Sequence, residues 1–455
     1  MELVTITTPG LGDNSYVVAH GGNAVVIDPQ RDIERFLAAA DDLGVIVAMV
    51  CETHVHNDYV SGAPALADTT GAELVLPAGS EAAFSFRPAF HHDDIAVDGL
   101  TLRPVHTPGH TPEHVSYVVL IDGEPVCVFS GGSLLVGAVG RTDLLGSDRS
   151  ESLARLQFGS IHRLASLPDA VAVYPTHGSG SFCAASAVGE ASSTIGVERS
   201  TNRVMGLADA DAFAADQLRR VERYPSYYRH LGPINRSRPG PIPTDLIPAL
   251  SPAEVTRLID NGVAVVDTRP AAVAASGRLP GSWAIELGDS FATWVGWLLP
   301  FAAPLVLVLD DPDELTEART ALARVGFTDI AGVLWGVERW AAEDHPVVAH
   351  RTMTPEEFAT AGVAPSQVLD VRARSEWEGG HVAGSVHRYL VDLAESVPDD
   401  IDADQPVYVG CASGSRASVA AGLLADAGYE PVVLVGGSIP DLVAMAAAAA
   451  QDRNR

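Results

Sequence analysis

Thr53-His54-Val55-His56-Asn57-Asp58 decides how the first half of the chain is read. Two imidazoles and a carboxylate stand on alternate residues directly after the branched apolar run Val45-Ile46-Val47-Ala48-Met49-Val50. Such a run predicts a buried strand with the polar residues at its C-terminal mouth. Side chains two apart on extended backbone point the same way, so His54, His56 and Asp58 are expected to converge on one point. Imidazole and carboxylate are the usual ligands of zinc and non-haem iron. Two more stretches place histidine at strand ends. Val105-His106-Thr107-Pro108-Gly109-His110-Thr111-Pro112-Glu113-His114 follows an alternating apolar run, and His177 closes Ala170-Val171-Ala172-Val173-Tyr174-Pro175-Thr176. Three strand ends delivering histidine describe a metal cleft better than solvated surface histidines, with His54, His56, Asp58, His110 and His177 as candidate ligands.

Working outward, Ser15–Ala19 and Ala24–Asp28 flank Gly21-Gly22-Asn23 as a hairpin. Asp32–Leu43 has helical spacing with Gly44 as its stop. The alternation of strand and helix patterns runs to about residue 180, and residues 186–222 are expected to be helical. Pro233, Pro239, Pro241, Pro243 and Pro248 then mark 226–250 as a linker of little periodicity. Beyond it the sequence repeats. Ser251-Pro252-Ala253-Glu254 is echoed by Thr354-Pro355-Glu356-Glu357, Asp267-Thr268-Arg269 by Asp370-Val371-Arg372, and Arg278-Leu279-Pro280-Gly281-Ser282 by His381-Val382-Ala383-Gly384-Ser385. Each unit of about 100 residues alternates short apolar strands with helices. The chain is therefore read as α/β: an α+β sandwich over 1–225, the linker 226–250, and α/β units over 251–346 and 347–455.

The second repeat carries a nucleophile. The strand pattern Pro406–Gly410 delivers Cys411 into Cys411-Ala412-Ser413-Gly414-Ser415-Arg416, ahead of an alanine-rich helix. Small residues let consecutive N–H groups turn inward, and the helix N-terminus adds positive potential, a cradle suited to anionic sulfur. Arg416 adds charge or braces the loop. In the first repeat the equivalent strand leads into Asp310-Asp311-Pro312-Asp313-Glu314. Four carboxylates repel an anion and Pro312 removes a donor, so this unit reads as inactive. Its Trp283, Trp294, Trp297, Trp335 and Trp340 suit packing.

Across 455 residues, 47% are hydrophobic and 19% charged, which describes a globular chain of several domains. A net charge of −29 argues against nucleic acid or an anionic membrane as partner. Cys51, Cys127, Cys183 and Cys411 are too sparse for a disulfide framework. The opening Met1-Glu2-Leu3 lacks the features of a secretory leader and no apolar run reaches a membrane span, so a cytoplasmic location is expected.

The histidine motifs resemble the metallo-β-lactamase superfamily, whose signatures are HxHxDH, a His in TPGHT, an Asp in TGD and a late His. The repeats resemble rhodanese domains. Their order, with one inactive and one active rhodanese unit, is similar to bacterial persulfide dioxygenase–rhodanese fusions, as are Gly140-Arg141-Thr142-Asp143-Leu144 and His177–Cys183. The resemblance implies an αββα sandwich and one divalent metal per chain, Fe(II) by preference and zinc as the alternative. It implies oxidation of a thiol persulfide (glutathione or coenzyme A) by O2 to sulfite, with Cys411 passing sulfane sulfur between persulfide, sulfite and thiosulfate. A glyoxalase II-like zinc thioester hydrolase, or a sulfur carrier with a degenerate metal site, are the competing readings; a homo-oligomer is compatible with all three. The family's iron-binding histidines match His54 and His110. Two positions depart from the pattern: Gly132 stands where the TGD aspartate is expected, and Tyr59 where HxHxDH ends in His. On this reading an aspartate restored at 132 is expected to strengthen metal binding.

Overall fold

In the computed structural model, residues 1–184, 192–397 and 401–453 are described. The chain divides into one unit of Met1–Pro243 with Thr320–Phe327, and a second of Thr244–Arg319 with Thr328–Arg455.

The first unit holds two six-stranded sheets. One runs, in spatial and chain order, through Glu2–Thr8, Asp13–His20, Asn23–Ile27, Ile46–Cys51, Glu73–Pro77 and Arg87–Ala89. The other runs through Ser193–Thr194, Ala172–Pro175, Glu124–Gly131, Val115–Ile121, Leu100–His106 and Ile95–Val97. Period-2 side-chain alternation gives each sheet one face for the other. Tyr16, Val18, Val25, Ile27, Met49 and Val75 meet Leu102, Tyr117, Val119, Cys127 and Phe129 in a shared core. The opposite face of the first sheet packs Val17, Val26 and Val50 on Phe36 and Leu66 from helices Glu34–Asp42 and Ala63–Thr70. That of the second packs Val118, Val128 and Val173 on Leu164 of helix Ser147–Leu164. The result is the expected αββα sandwich.

Two stretches differ from the sequence reading. Residues 192–222 contain a short strand, helices Ile195–Thr201 and Ala210–Arg219 and a 3-10 turn rather than continuous helix, while 186–191 lie outside the described residues. The proline-rich stretch contains the helix Tyr228–Arg236, with Pro233 inside it. Its hydrophobic face overrides the proline, and its Asn235 reaches the histidine loop.

The second unit contains the two repeats. Each has its own parallel sheet: Trp283–Ala284, Ala264–Asp267, Leu305–Leu309 and Ile330–Trp335 in the first, and Arg351–Met353, Pro431–Leu434, Val407–Gly410, Val368–Asp370 and Val386–His387 in the second. Both repeats open with a capping box, Ser251 with Glu254 and Thr354 with Glu357. Trp294 and Trp297 stack at 5.4 Å in the first repeat and meet Tyr389 of the second edge-on, at 6.4 and 5.7 Å. Arg278, wholly buried, donates to the Ser282 and Leu279 carbonyls and to His350 Nε2.

Candidate metal centre and thiol loop

The strand Ile46–Cys51 ends before Thr53, and the histidine loop that follows is irregular rather than extended. Alternate residues therefore do not share one direction. His54, His110 and His177 are at most 1% exposed and bring one nitrogen each within 4.8 Å of the others.

Their tautomers follow from the partners of Nδ1. Thr53 Oγ1 has a single hydrogen and donates it to Asp28 at 2.7 Å, so it accepts from His54 Nδ1 at 2.8 Å. His110 Nδ1 donates to the Arg141 carbonyl at 2.7 Å, leaving its buried Nε2 without a partner. His177 Nδ1 donates to Asp13 at 2.9 Å, with Asp58 at 3.3 Å. His177 Nε2 then stands 3.4 Å from His54 Nε2. Two lone pairs facing each other in a buried site are repulsive until a cation or a proton lies between them. Outer carboxylates and carbonyls that fix the tautomer are what metal-binding imidazoles require.

The electrostatics agree. Burial holds His54 well below its ordinary range, helped by its neighbouring imidazoles. Burial, with His177 nearby, holds His110 at about 3. Both are neutral donors at pH 7. Burial would lower His177 too, but Asp58 and Asp13 outweigh it and raise it to about 9, so a proton on Nε2 is what a metal there displaces.

His56 and Asp58 do not join this point. His56 Nε2 lies 2.9 Å from Glu52 and 3.2 Å from Asp28, its ring stacked on Tyr59 at 4.3 Å. The two carboxylates overcome burial and keep His56 protonated. Asp58 sits between His56 Nδ1, at 3.8 Å, and His177 Nδ1. The expected convergence of His54, His56 and Asp58 thus becomes a three-imidazole cluster backed by buried carboxylates. His56, Asp58 and His177 also lie close enough to form an alternative trio, as do Asp28, His54 and His56.

Sequence reading missed several residues that build the site. Asp28 ends a strand and accepts from Thr53 N at 2.6 Å and from Thr176 Oγ1. His114 stacks on His54 at 5.0 Å; its Nε2 accepts from Gly132 N, so its Nδ1 donates to Thr107. Asn235 donates to the His56 and Tyr59 carbonyls and accepts from Ser61 N. A carboxylate closing an apolar strand, as Asp28 does, was the one available signal.

Gly132 adjoins the cluster, but the space beside it is taken. A β-carbon there would lie 2.3 Å from His110 Cδ2. The expectation that an aspartate at 132 strengthens the site is therefore reversed: the His110 ring fills the volume that such a side chain needs.

In the second repeat, Cys411 is buried and its Sγ accepts from Gly414 N at 3.0 Å. Gly414 has φ +98°, a conformation that favours glycine, and turns the loop into helix Ser415–Asp426. Ala412, Ser413 and Ser415 complete the loop, with the two serine hydroxyls 3.3 Å apart. Arg416 braces it: its guanidinium pairs bidentately with Glu376 at 2.5 and 2.8 Å. In the first repeat Val308 pairs with Asp267 as Gly410 pairs with Asp370 in the second, so Leu309 stands at the register position of Cys411 and the acidic run from Asp310 follows it.

A model of the metallo-beta-lactamase superfamily matches residues 8–177, and a rhodanese-like domain model matches 354–444. A probable metallo-hydrolase of Burkholderia pseudomallei is 32% identical over 170 residues, covering 32% of this chain, and the hydroxyacylglutathione hydrolase of Albidiferax ferrireducens is 31% identical over 179, covering 39%. The chain spans 56% and 66% of the lengths of those two relatives. The crystal structure of a metallo-beta-lactamase from Staphylococcus aureus superposes with a TM-score of 0.66 at 27% identity, covering 74% of this chain and 99% of that one. The fold thus defines an α/β chain whose first unit has the metallo-beta-lactamase fold. More particularly, it carries a metallo-beta-lactamase domain followed by a C-terminal rhodanese domain.

Proposed function

We propose that the chain is an enzyme of sulfane-sulfur metabolism that oxidises a low-molecular-weight thiol persulfide at one divalent metal and moves sulfane sulfur through Cys411. The carrying observation is that one chain holds both a buried cluster of three imidazole nitrogens and a cysteine whose sulfur accepts from a loop N–H at a helix start. The donor set fits a divalent ion, because His54, His110 and His177 each have Nδ1 engaged outward. Bound there, such an ion supplies Lewis acidity and, if iron, redox chemistry toward O2. The overall change is RSS⁻ + O2 + H2O giving RSH, sulfite and a proton. At the second site the Cys411 thiolate attacks the outer sulfur of thiosulfate, a new S–S bond forms, and sulfite leaves with the electron pair of the broken one. Before that attack the Gly414 N–H faces the thiolate sulfur that carries the negative charge.

A zinc thioester hydrolase is the second reading, favoured by the hydroxyacylglutathione hydrolase relative. Metal analysis of the purified chain, followed by O2 consumption with glutathione persulfide and hydrolysis of a glutathione thioester, separates the two. Iron with O2 uptake supports the first; zinc with thioester hydrolysis replaces it.

A further inference from the structure

We infer that Arg141 is a positioning residue for the metal centre, acting through its own carbonyl to fix His110. The inference rests on the reading of His54, His110 and His177 as metal ligands. His110 Nδ1 has the Arg141 carbonyl as its partner at 2.7 Å, and that bond both sets the tautomer and aims Nε2. What holds the carbonyl is the side chain of the same residue, 5% exposed. Its Nε and one terminal nitrogen grip both oxygens of Asp143, at 2.7 and 2.8 Å. The remaining edges donate to the carbonyls of Phe182, at 3.0 Å, and Glu222, at 2.6 Å. The ring of Tyr224 lies 4.6 Å beneath the guanidinium, and Arg141 N donates to the Cys183 carbonyl.

Three pieces of chain, 141–143, 182–183 and 222–224, thus meet on one planar cation. Only a guanidinium serves a bidentate carboxylate and two carbonyls in one plane; a lysine ammonium reaches one or two of these acceptors. From the other side, Gln157 donates to the Gly140 carbonyl at 3.0 Å, and Gly140 N donates to Gly132 at 3.0 Å. The segment 140–141 is clamped from both ends, and His110 stands on it. Arg141 touches no reacting atom in this arrangement. Its work is to keep one imidazole aimed.

The test uses the full chain stripped of metal and titrated with Co(II), read by chelator competition and by the visible d–d spectrum. Arg141→Lys is expected to weaken Co(II) binding about 10- to 100-fold and to change the band shape, because partners that orient a ligand matter on that scale. Asp143→Asn keeps the cation but loosens its grip, and should give a smaller shift in the same direction. Melting of the metal-free variants monitors the fold. A folded Arg141→Lys that binds within twofold of the parent with the same spectrum overturns the inference. If that variant does not fold, an unchanged spectrum and affinity in Asp143→Asn overturns it instead. A parent that takes up no Co(II) removes the metal reading itself, and the inference with it.

Discussion

Substituting Gly132 probes whether the three-imidazole arrangement is real. A β-carbon at 132 would sit 2.3, 2.7 and 2.8 Å from His110 Cδ2, Cγ and Nε2, so the ring must retreat by about 1 Å to reach ordinary contact. Nδ1 is held on the Arg141 carbonyl, so a retreat of that size breaks the bond that aims the ring. Metal–ligand distances tolerate only about 0.2 Å, so a ring displaced that far no longer ligates. Changes that merely loosen a ligand cost about 10- to 100-fold in affinity, and Gly132→Ala should cost at least the upper end of that range. Gly132→Asp brings a carboxylate but at the expense of His110, and should not bind more tightly than the parent. Zn(II) or Co(II) competition titrations, with His54→Ala as the reference for a destroyed site, measure this. If Gly132→Ala binds within threefold of the parent while His54→Ala abolishes binding, His110 is not a ligand and the argument fails.

Cys411→Ser should abolish sulfur transfer from thiosulfate to an acceptor thiol while leaving metal content and melting unchanged; normal turnover would point to another cysteine. Leu309→Cys, at the register position of Cys411, and Asp310→Cys should each stay inactive alone, because Asp311, Pro312, Asp313 and Glu314 still follow the new thiol, and sulfurtransferase activity there would show the acidic loop to be competent. His350 should make the second unit pH-sensitive. Burial and the Arg278 guanidinium push it down to about 4, and its neutral Nε2 accepts from Arg278. A histidine whose folded value is depressed stabilises fully above its unfolded value near 6.5, and that contribution is lost as pH falls from there toward 4. Melting curves of the parent should drop across that window and those of His350→Gln should drop less; equal slopes would refute the assignment.

The sandwich was legible because strand periodicity and strand-end histidines are local properties. His54, His110 and His177 sit where those signals place them. What could not be read was direction. The alternation argument for His56 assumed extended backbone, whereas the loop turns and Glu52 and Asp28 claim the ring. Asp13 and Thr53 matter through hydrogen bonds to histidines distant or adjacent in sequence, which no spacing rule reports. The helix Tyr228–Arg236 was hidden by its proline, although the residues around it carry a clear helical pattern. The repeats were legible because duplication compares the chain with itself; the capping boxes that open them came only with the structure.

The Arg416–Glu376 pair has a kinetic consequence. With the Arg416 guanidinium matched to a carboxylate, the Cys411 loop attracts anionic sulfur through backbone N–H dipoles that act only at close range. At longer range an approaching anion meets a chain of net charge −29. Encounter with thiosulfate is therefore opposed rather than steered, and dissolved salt should help it. As added electrolyte shortens the screening length from about 30 to about 8 Å, kcat/KM for an anionic donor should rise, opposite to the behaviour of enzymes that draw anions in with exposed basic residues.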